Sequence, residues 1–258
     1  MNEDEAAPTN PFAVPAPKYA QVRPDYPPSI IDHVLRVCGQ GIAARPTKAA
    51  DIGAGTGKMA VLLAERGLVI DAVEPSEAMR DQMAQALPDV IANGQVRAHD
   101  ATAERTGLAD SSVELVVAAQ SWHWVDAALA AQEAARILVP GGTLAVVWNQ
   151  MDVSIPWVKR LTRIMRSGDV HRPDNPPSFG PRFTTPALVV ESWEDTMTTE
   201  QILELGTTRS SYLRQDEAGR ARMQANLRWY LHEHLGYAPG SSVVLPYSTL
   251  AWTGVRWD

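Results

Sequence analysis

Cysteine is almost missing from this chain: Cys38 is the only one in 258 residues. An internal disulfide is therefore excluded, and Val34, Leu35 and Val37 around it suggest a buried thiol in a protein of a reducing compartment. Nowhere do about 18 apolar residues run unbroken, as a membrane-spanning helix requires. The acidic start, Met1 to Asn10, lacks the basic and apolar regions of a secretion signal, so a cytoplasmic protein with no membrane partner is expected. Positive charge is also short. Lys and Arg total 23 against 30 Asp and Glu, a formal net charge of −7, and a pI near 5.4 disfavours a surface built to displace counterions from nucleic acid. His and Asp show no ligand-type spacing, so no metal is expected. No internal repeat is visible.

What is present is an ordinary globular composition, 45% hydrophobic and 21% charged, in a length that one α/β domain fills. Residues 1–18 carry Pro8, Pro11, Pro15 and Pro17 among small and acidic residues, the pattern of a flexible arm. A helix is predicted from Ser29, with Ile30, Ile31, Val34 and Leu35 at helical spacing, ending before Gly39 and Gly41.

From Thr47 onward short apolar runs alternate with amphipathic stretches. Strands are predicted at Ala49–Ile52, Val69–Val73, Val96–Asp100, Val113–Ala118 and Thr143–Trp148, and helices at Lys58–Arg66, Ser76–Ala86 and Ala127–Leu138. Such alternation implies a Rossmann-like, mostly parallel sheet with helices on both faces. Beyond Trp148 the order changes. His171–Pro181 reads as a Pro- and Asn-rich loop, either a lid or part of a substrate pocket or a surface connection; helices are expected after Val190 and at Glu217–Leu235, and Ser242–Leu245 and Thr249–Trp257 read as closing strands. In the Glu217–Leu235 helix Met223, Leu227, Tyr230, Leu231 and His234 share one stripe, which reads as core packing.

The sharpest chemical signal is Asp51-Ile52-Gly53-Ala54-Gly55-Thr56-Gly57-Lys58, at the junction of the first strand and the next helix. Glycines there let the backbone turn tightly and approach a ligand closely. Glu74 ends the second strand about twenty residues beyond, where a nucleoside ribose needs a carboxylate for its hydroxyls. The glycines fall at 53, 55 and 57, not in the Gly-x-Gly-x-x-Gly spacing of a dinucleotide site. Met59 stands where a phosphate-binding loop needs Ser or Thr for magnesium.

With these segments in view, Asp51–Lys58, Glu74-Pro75-Ser76, Thr102–Val117, Ser121–Asp126 and Val139–Trp148 together resemble the class I S-adenosylmethionine (SAM)-dependent methyltransferases of the type 11 kind. The resemblance covers about residues 19–149. His123-Trp124 followed by Asp126 is similar to the subset that includes trans-aconitate methyltransferase. It implies a seven-stranded sheet with an antiparallel last strand and a helical cap toward the C-terminus. It also implies a division into a SAM-binding core over 19–150, substrate-side loops and helices over 151–240, and closing strands over 241–258.

The resemblance further implies that Asp51, Gly53, Ala54, Gly55, Thr56, Gly57, Glu74, Pro75, Met79, Thr102, Ala103 and Gln120 contact SAM. Thr102 occupies the place of the Asp that usually meets the adenine. Tyr19, Arg23, Tyr26, Trp122, Trp124, Trp148 and Asn149 are expected beside a small-molecule acceptor, with His123 as a candidate base for an OH or NH. A carboxylate acceptor needs no base. The products would be the methylated acceptor and S-adenosylhomocysteine. Two rival readings stay open: a non-catalytic SAM-binding sensor or scaffold, and a nicotinamide-dependent oxidoreductase.

Overall fold

The structure is a computed structural model, and it describes residues 22–166 and 171–257. The arm expected over residues 1–18, and Tyr19, lie outside the described residues. Helix α1 (Pro28–Gly41) leads into β1 (Lys48–Ile52), α2 (Lys58–Glu65), β2 (Val69–Val73), α3 (Glu77–Ala86), α4 (Pro88–Ala92), β3 (Val96–His99) and β4 (Val113–Ala119). A 3₁₀ turn over Trp122–Trp124 precedes α5 (Ala127–Ile137), β5 (Leu138–Met151) and α6 (Pro156–Ile164). There follow β6 (Ala187–Thr198), α7 (Thr199–Thr207), α8 (Ser210–Leu213), α9 (Glu217–Trp229), a π-helical turn over Tyr230–His234 and β7 (Ser242–Val255).

The seven strands lie in the order β3-β2-β1-β4-β5-β7-β6. Neighbours from β3 to β5 pair in parallel, and β7 runs antiparallel to both β5 and β6. The expected mostly parallel sheet with an antiparallel last strand is therefore present. Strand β1 lies between β2 and β4, with β2 and β3 on one side and β4 onward on the other. The chains leaving the carboxyl ends of β1 and β4 diverge to opposite faces, to α2 and to α5, and such a divergence is the place where open α/β sheets bind ligands.

Both faces of the parallel strands are covered, which is why they read as near-continuous apolar runs. On one face Ala49, Leu115, Val117, Ala145 and Val147 meet α1 and α2 through Ile30, Ile31, Val34, Cys38, Met59 and Leu63. On the other, Ala50, Ile52, Val116, Ala118, Val146 and Trp148 meet α5 through Ala130, Ala131, Ala134 and Ala135. Pro28 starts α1, a first-turn position that needs no amide donor, and the buried Cys38 thiol donates to the Glu114 carbonyl at 3.1 Å. Asp126 caps α5, accepting from the amides of Ala128 and Leu129 at 3.0 Å, a contact that stabilises by about 1 kcal/mol.

A third apolar cluster joins Val22, Met151, Val158, Leu161, Met165, Ile202, Leu205, Met223, Leu227, Tyr230, Leu245 and Tyr247. Through it α6 to α9 pack as a cap on the ends of β5, β6 and β7.

Four expectations need correction. The segment after Val190 remains strand β6 to Thr198, and helix begins at Thr199. Val189 to Glu194 alternate poorly in polarity, which hid an edge strand. The closing strands are one strand, β7, unbroken by Pro246 because that residue sits where β7 passes the edge partner Glu194. Strand β5 starts at Leu138 and not at Thr143, running through Pro140-Gly141-Gly142. The last helix changes to a π turn at Tyr230, and this leaves His234 exposed, its ring stacked on Trp229 and Tyr230.

Candidate cofactor and acceptor site

The ends of β1, β2, β4 and β5 coincide, since Ile52 pairs with Val73, Asp51 with Val117 and Ala119 with Val147. The loop leaving β1 is held against β2 because the amides of Gly53 and Ala54 both donate to the Val73 carbonyl, at 2.8 and 3.1 Å. Gly53 has φ 69°, and a Cβ on it would lie 2.4 Å from the Cβ of Ser121. Two chain segments thus touch at a point that only glycine allows. Gly55 has φ 57° and nothing within 4 Å of where its Cβ would stand, so the loop turns an open, side-chain-free surface outward.

Glu74 is 7% exposed and fixes this loop. Its Oε2 accepts from the Gly55 amide at 2.9 Å and its Oε1 from the Ser76 amide at 2.9 Å. Burial raises its pKa, opposed by those two amides and by Arg80, whose guanidinium donates to the Glu74 carbonyl at 2.7 Å. Each carboxylate oxygen keeps a lone-pair direction for a further donor.

Asp51 is 1% exposed, and neither of its carboxylate oxygens has a well-formed hydrogen bond. Its pKa is raised to about 7, chiefly by burial and secondarily by the Glu74 charge, with the Ala60 amide offsetting part of the cost. A buried carboxylate without a full donor set is an unmet demand that a cationic ligand satisfies. Together with the open face of Gly55 and the free lone pairs of Glu74, it fits an adenosyl group carrying an ammonium and a sulfonium.

The remaining expected cofactor residues ring the same rim. Thr56 and Gly57 are buried at the start of α2, and Pro75 is exposed just past Glu74. Met79 is buried on α3, whose N-cap Ser76 accepts from the Met79 amide. Thr102 is exposed and bridges to Arg105, while Ala103 is buried. Gln120 has φ 59°, unusual for a side chain with a Cβ. Its amide donates to the Asn149 carbonyl at 2.5 Å.

The residues expected beside an acceptor divide into two groups. On the α5 face Trp122 and Trp148, each 5% exposed, line a cleft of about 790 Å³ with His123, His171 and Arg172. The His171 ring stacks on Trp148 at 3.9 Å, and the His123 ring lies 5.7 Å from it. Trp124 points away, half exposed, with the Arg214 guanidinium 5.6 Å over its ring.

On the other side Asn149 donates to the Asp25 carbonyl at 2.7 Å and accepts from the Thr249 hydroxyl. Asp25 also meets the Lys58 ammonium at 2.6 Å. Tyr26 packs into the α1 and α2 core, and Arg23 donates to the Thr208 carbonyl at 2.7 Å, tying the N-terminal segment to the cap.

Sequence reasoning missed Ser121 and Gln150, while His171 opens the His171–Pro181 loop expected as a lid, pocket wall or surface connection, and residues 171–172 and 174–178 of it line the aromatic cleft. Ser121 follows Gln120 directly, and its hydroxyl donates to the Ile52 carbonyl at 2.6 Å. Gln150 holds the His171 backbone at both ends, donating to its carbonyl at 3.0 Å and accepting from its amide at 2.9 Å. No local pattern signals that second pairing, which spans 21 residues.

Residues 50–146 match the family model described as a methyltransferase domain. An uncharacterized methyltransferase of Mycobacterium tuberculosis is 37% identical over 233 residues, 90% of each chain. The chain belongs to the methyltransferase family. An O-methyltransferase of Aspergillus sclerotiorum is 32% identical over 115 residues, 44% of each chain. In structure, a type II methyltransferase assignment from Anaeromyxobacter dehalogenans has a TM-score of 0.62 at 24% identity, covering 92% of this chain and 99% of that one. A protein from Anabaena variabilis assigned to antibiotic biosynthesis has a TM-score of 0.56 at 21% identity, covering 89% and 98%. The fold is that of the class I enzymes, and this methyltransferase is a SAM-dependent enzyme of that class. Among the described residues no helix is long and apolar enough to cross a membrane.

Proposed function

We propose that this methyltransferase passes the SAM methyl group to an oxygen or nitrogen atom of a small molecule lying in the cleft of Trp122, His123, Trp148 and His171. The observation that carries the reading is Glu74. Its two oxygens accept from Gly55 and Ser76, Gly55 leaves open space where a Cβ would stand, and the aromatic cleft is lined by Trp122, just past β4, and Trp148, on β5.

In this reading Glu74 receives the ribose hydroxyls, and Gly53, Ala54, Gly55, Thr56 and Gly57 pass beneath the cofactor. Asp51 balances its positive charge. Pro75 and Met79 flank the nucleoside, and Thr102 and Ala103 border the adenine. Bound there, SAM supplies an electrophilic methyl carbon on a sulfonium. Gln120, held to Asn149, sets the wall on which acceptor and methyl group meet in line, and orientation with exclusion of water supplies most of the rate. Trp122 and Trp148 offer flat apolar surface to the acceptor. His123, exposed at the mouth, takes the proton of an OH or NH acceptor. A carboxylate acceptor, as in the trans-aconitate subset, reacts without it. The acidic net charge supports a small molecule over nucleic acid.

Incubation of the chain with labelled SAM and a panel of small acids, phenols and nitrogen heterocycles tests this reading. Label transferred to at least one class is expected. Tight S-adenosylhomocysteine binding without turnover across the panel would favour a SAM sensor instead.

A further inference from the structure

One surface stands against the acidic balance of the molecule. Lys159 and Arg163 on α6 and Arg166 just beyond it fall at i, i+4 and i+7, which places them on one stripe. They are exposed, whereas Val158, Leu161 and Met165 opposite are fully buried. The stripe is thus fixed in orientation by the cap core. Arg160, beside it, is held 5.6 and 5.2 Å from the rings of Trp229 and Tyr230.

Lys159, Arg163 and Arg166 line two adjoining clefts, the first with Val153, Ser154 and Asn226 and the second with Gln150, His171 and Arg172. His171 and Arg172 also line the aromatic cleft with Trp122, His123 and Trp148. One groove therefore runs from the candidate acceptor site to the basic stripe. No ion pair among the described residues engages Lys159, Arg163, Arg166 or Arg172. Two carboxylates border the groove, Asp174 and Asp152. Asp152 accepts from the Ser154 amide at 2.9 Å.

Like charges at i and i+4 destabilise a helix by a few tenths of a kcal/mol, and this stripe carries no intervening acid to relieve them. A bound anion removes that cost and gains charge-assisted hydrogen bonds. We propose that the groove of Lys159, Arg163, Arg166 and Arg172 is a phosphate subsite, and that the methyl acceptor is a small molecule carrying a phosphate or diphosphate group. The inference rests on the acceptor cleft proposed above. A compact cluster at the end of a small-molecule cleft, on a chain of net charge −7, suits a short anion better than a polymer that needs an extended basic face.

The test uses the whole chain saturated with S-adenosylhomocysteine, titrated with pyrophosphate by calorimetry at constant ionic strength. Saturable single-site binding is expected, weakened by about tenfold or more in the Lys159→Gln, Arg163→Gln, Arg166→Gln combination. S-adenosylhomocysteine affinity should be unchanged, which also shows that the variant folds. Arg172→Gln alone, outside the helix, should weaken pyrophosphate about threefold or more. Failure of S-adenosylhomocysteine itself to bind would instead strike the cofactor-site reading. Pyrophosphate binding that is absent, or indifferent to all four residues, overturns the subsite, as does tighter engagement of the groove by an RNA duplex or phosphatidylglycerol vesicles.

Discussion

The Gln120 side-chain amide donates to the main-chain carbonyl of Asn149, 2.5 Å away, from a backbone with φ 59°. A left-handed conformation costs a side chain roughly 1–2 kcal/mol, and a lost hydrogen bond costs about 0.5–1.5 kcal/mol. Gln120→Gly removes both, so the two effects nearly cancel. The melting temperature should shift little while methyl transfer falls. Thermal unfolding and initial rates at saturating SAM check this, and an unchanged rate would place Gln120 outside the reacting centre.

Glu74→Ala removes the acceptor of two backbone amides as well as the proposed ribose contact. Hydrogen bonds to a charged group contribute about 1.5–3 kcal/mol each, so SAM affinity should fall by about tenfold or more. Because Gly55 and Ser76 lose their partner too, the melting temperature should also drop. Calorimetric titration with S-adenosylhomocysteine decides it, and unaltered affinity removes Glu74 from the site.

Asp51 gives a pH signature. Its pKa is raised from 3.8 to about 7 on folding, so between those values the native state holds a proton that the unfolded chain has released. Stability therefore falls as pH rises from about 4 to 7, and this contribution is constant above that window. Asp51→Asn should flatten the decline in denaturant unfolding over the same range. An equal slope in both proteins would mean that Asp51 is ionised throughout.

For His123, replacement by Gln should lower kcat with a phenol or nitrogen acceptor by about a hundredfold, within the usual range for a general base. S-adenosylhomocysteine binding should hold. A carboxylate acceptor should be indifferent to the change. An unaltered rate on every acceptor makes His123 structural.

The parallel half of the fold was legible because its strands are buried on both faces and its turns carry glycine and proline at fixed offsets. Glu74 and the glycine loop were legible for the same reason: their chemistry is local in sequence. Edge strand β6 was not. Its half-buried face mixes Glu191 and Asp195 with Trp193 and Met197 while Val190 sits on the exposed face beside Glu194, and only pairing with β7, some fifty residues on, makes it a strand. The split of the acceptor residues was equally hidden, since which face Trp124 or Tyr26 takes depends on α1 and the cap. The Arg23 bond to Thr208, 185 residues on, was hidden too, because nothing near Arg23 in sequence announces it.

Ser121 and Gly53 close the rim between β1 and β4, and their contact yields the sharpest stability test. In Gly53→Ala the new Cβ would meet the Ser121 Cβ at 2.4 Å while the backbone keeps φ 69°. Backbone strain of about 1–2 kcal/mol and overpacking of about 1–3 kcal/mol then add. Adding Ser121→Gly removes the collision but not the strain, and also frees the Ile52 carbonyl from its hydroxyl donor. The double variant should recover part of the lost stability and none of the S-adenosylhomocysteine affinity, because the loop path over β1 stays displaced. Denaturant unfolding of both variants measures the first, calorimetry the second. Full recovery of affinity would show that the Ser121 contact alone demands glycine at this bend.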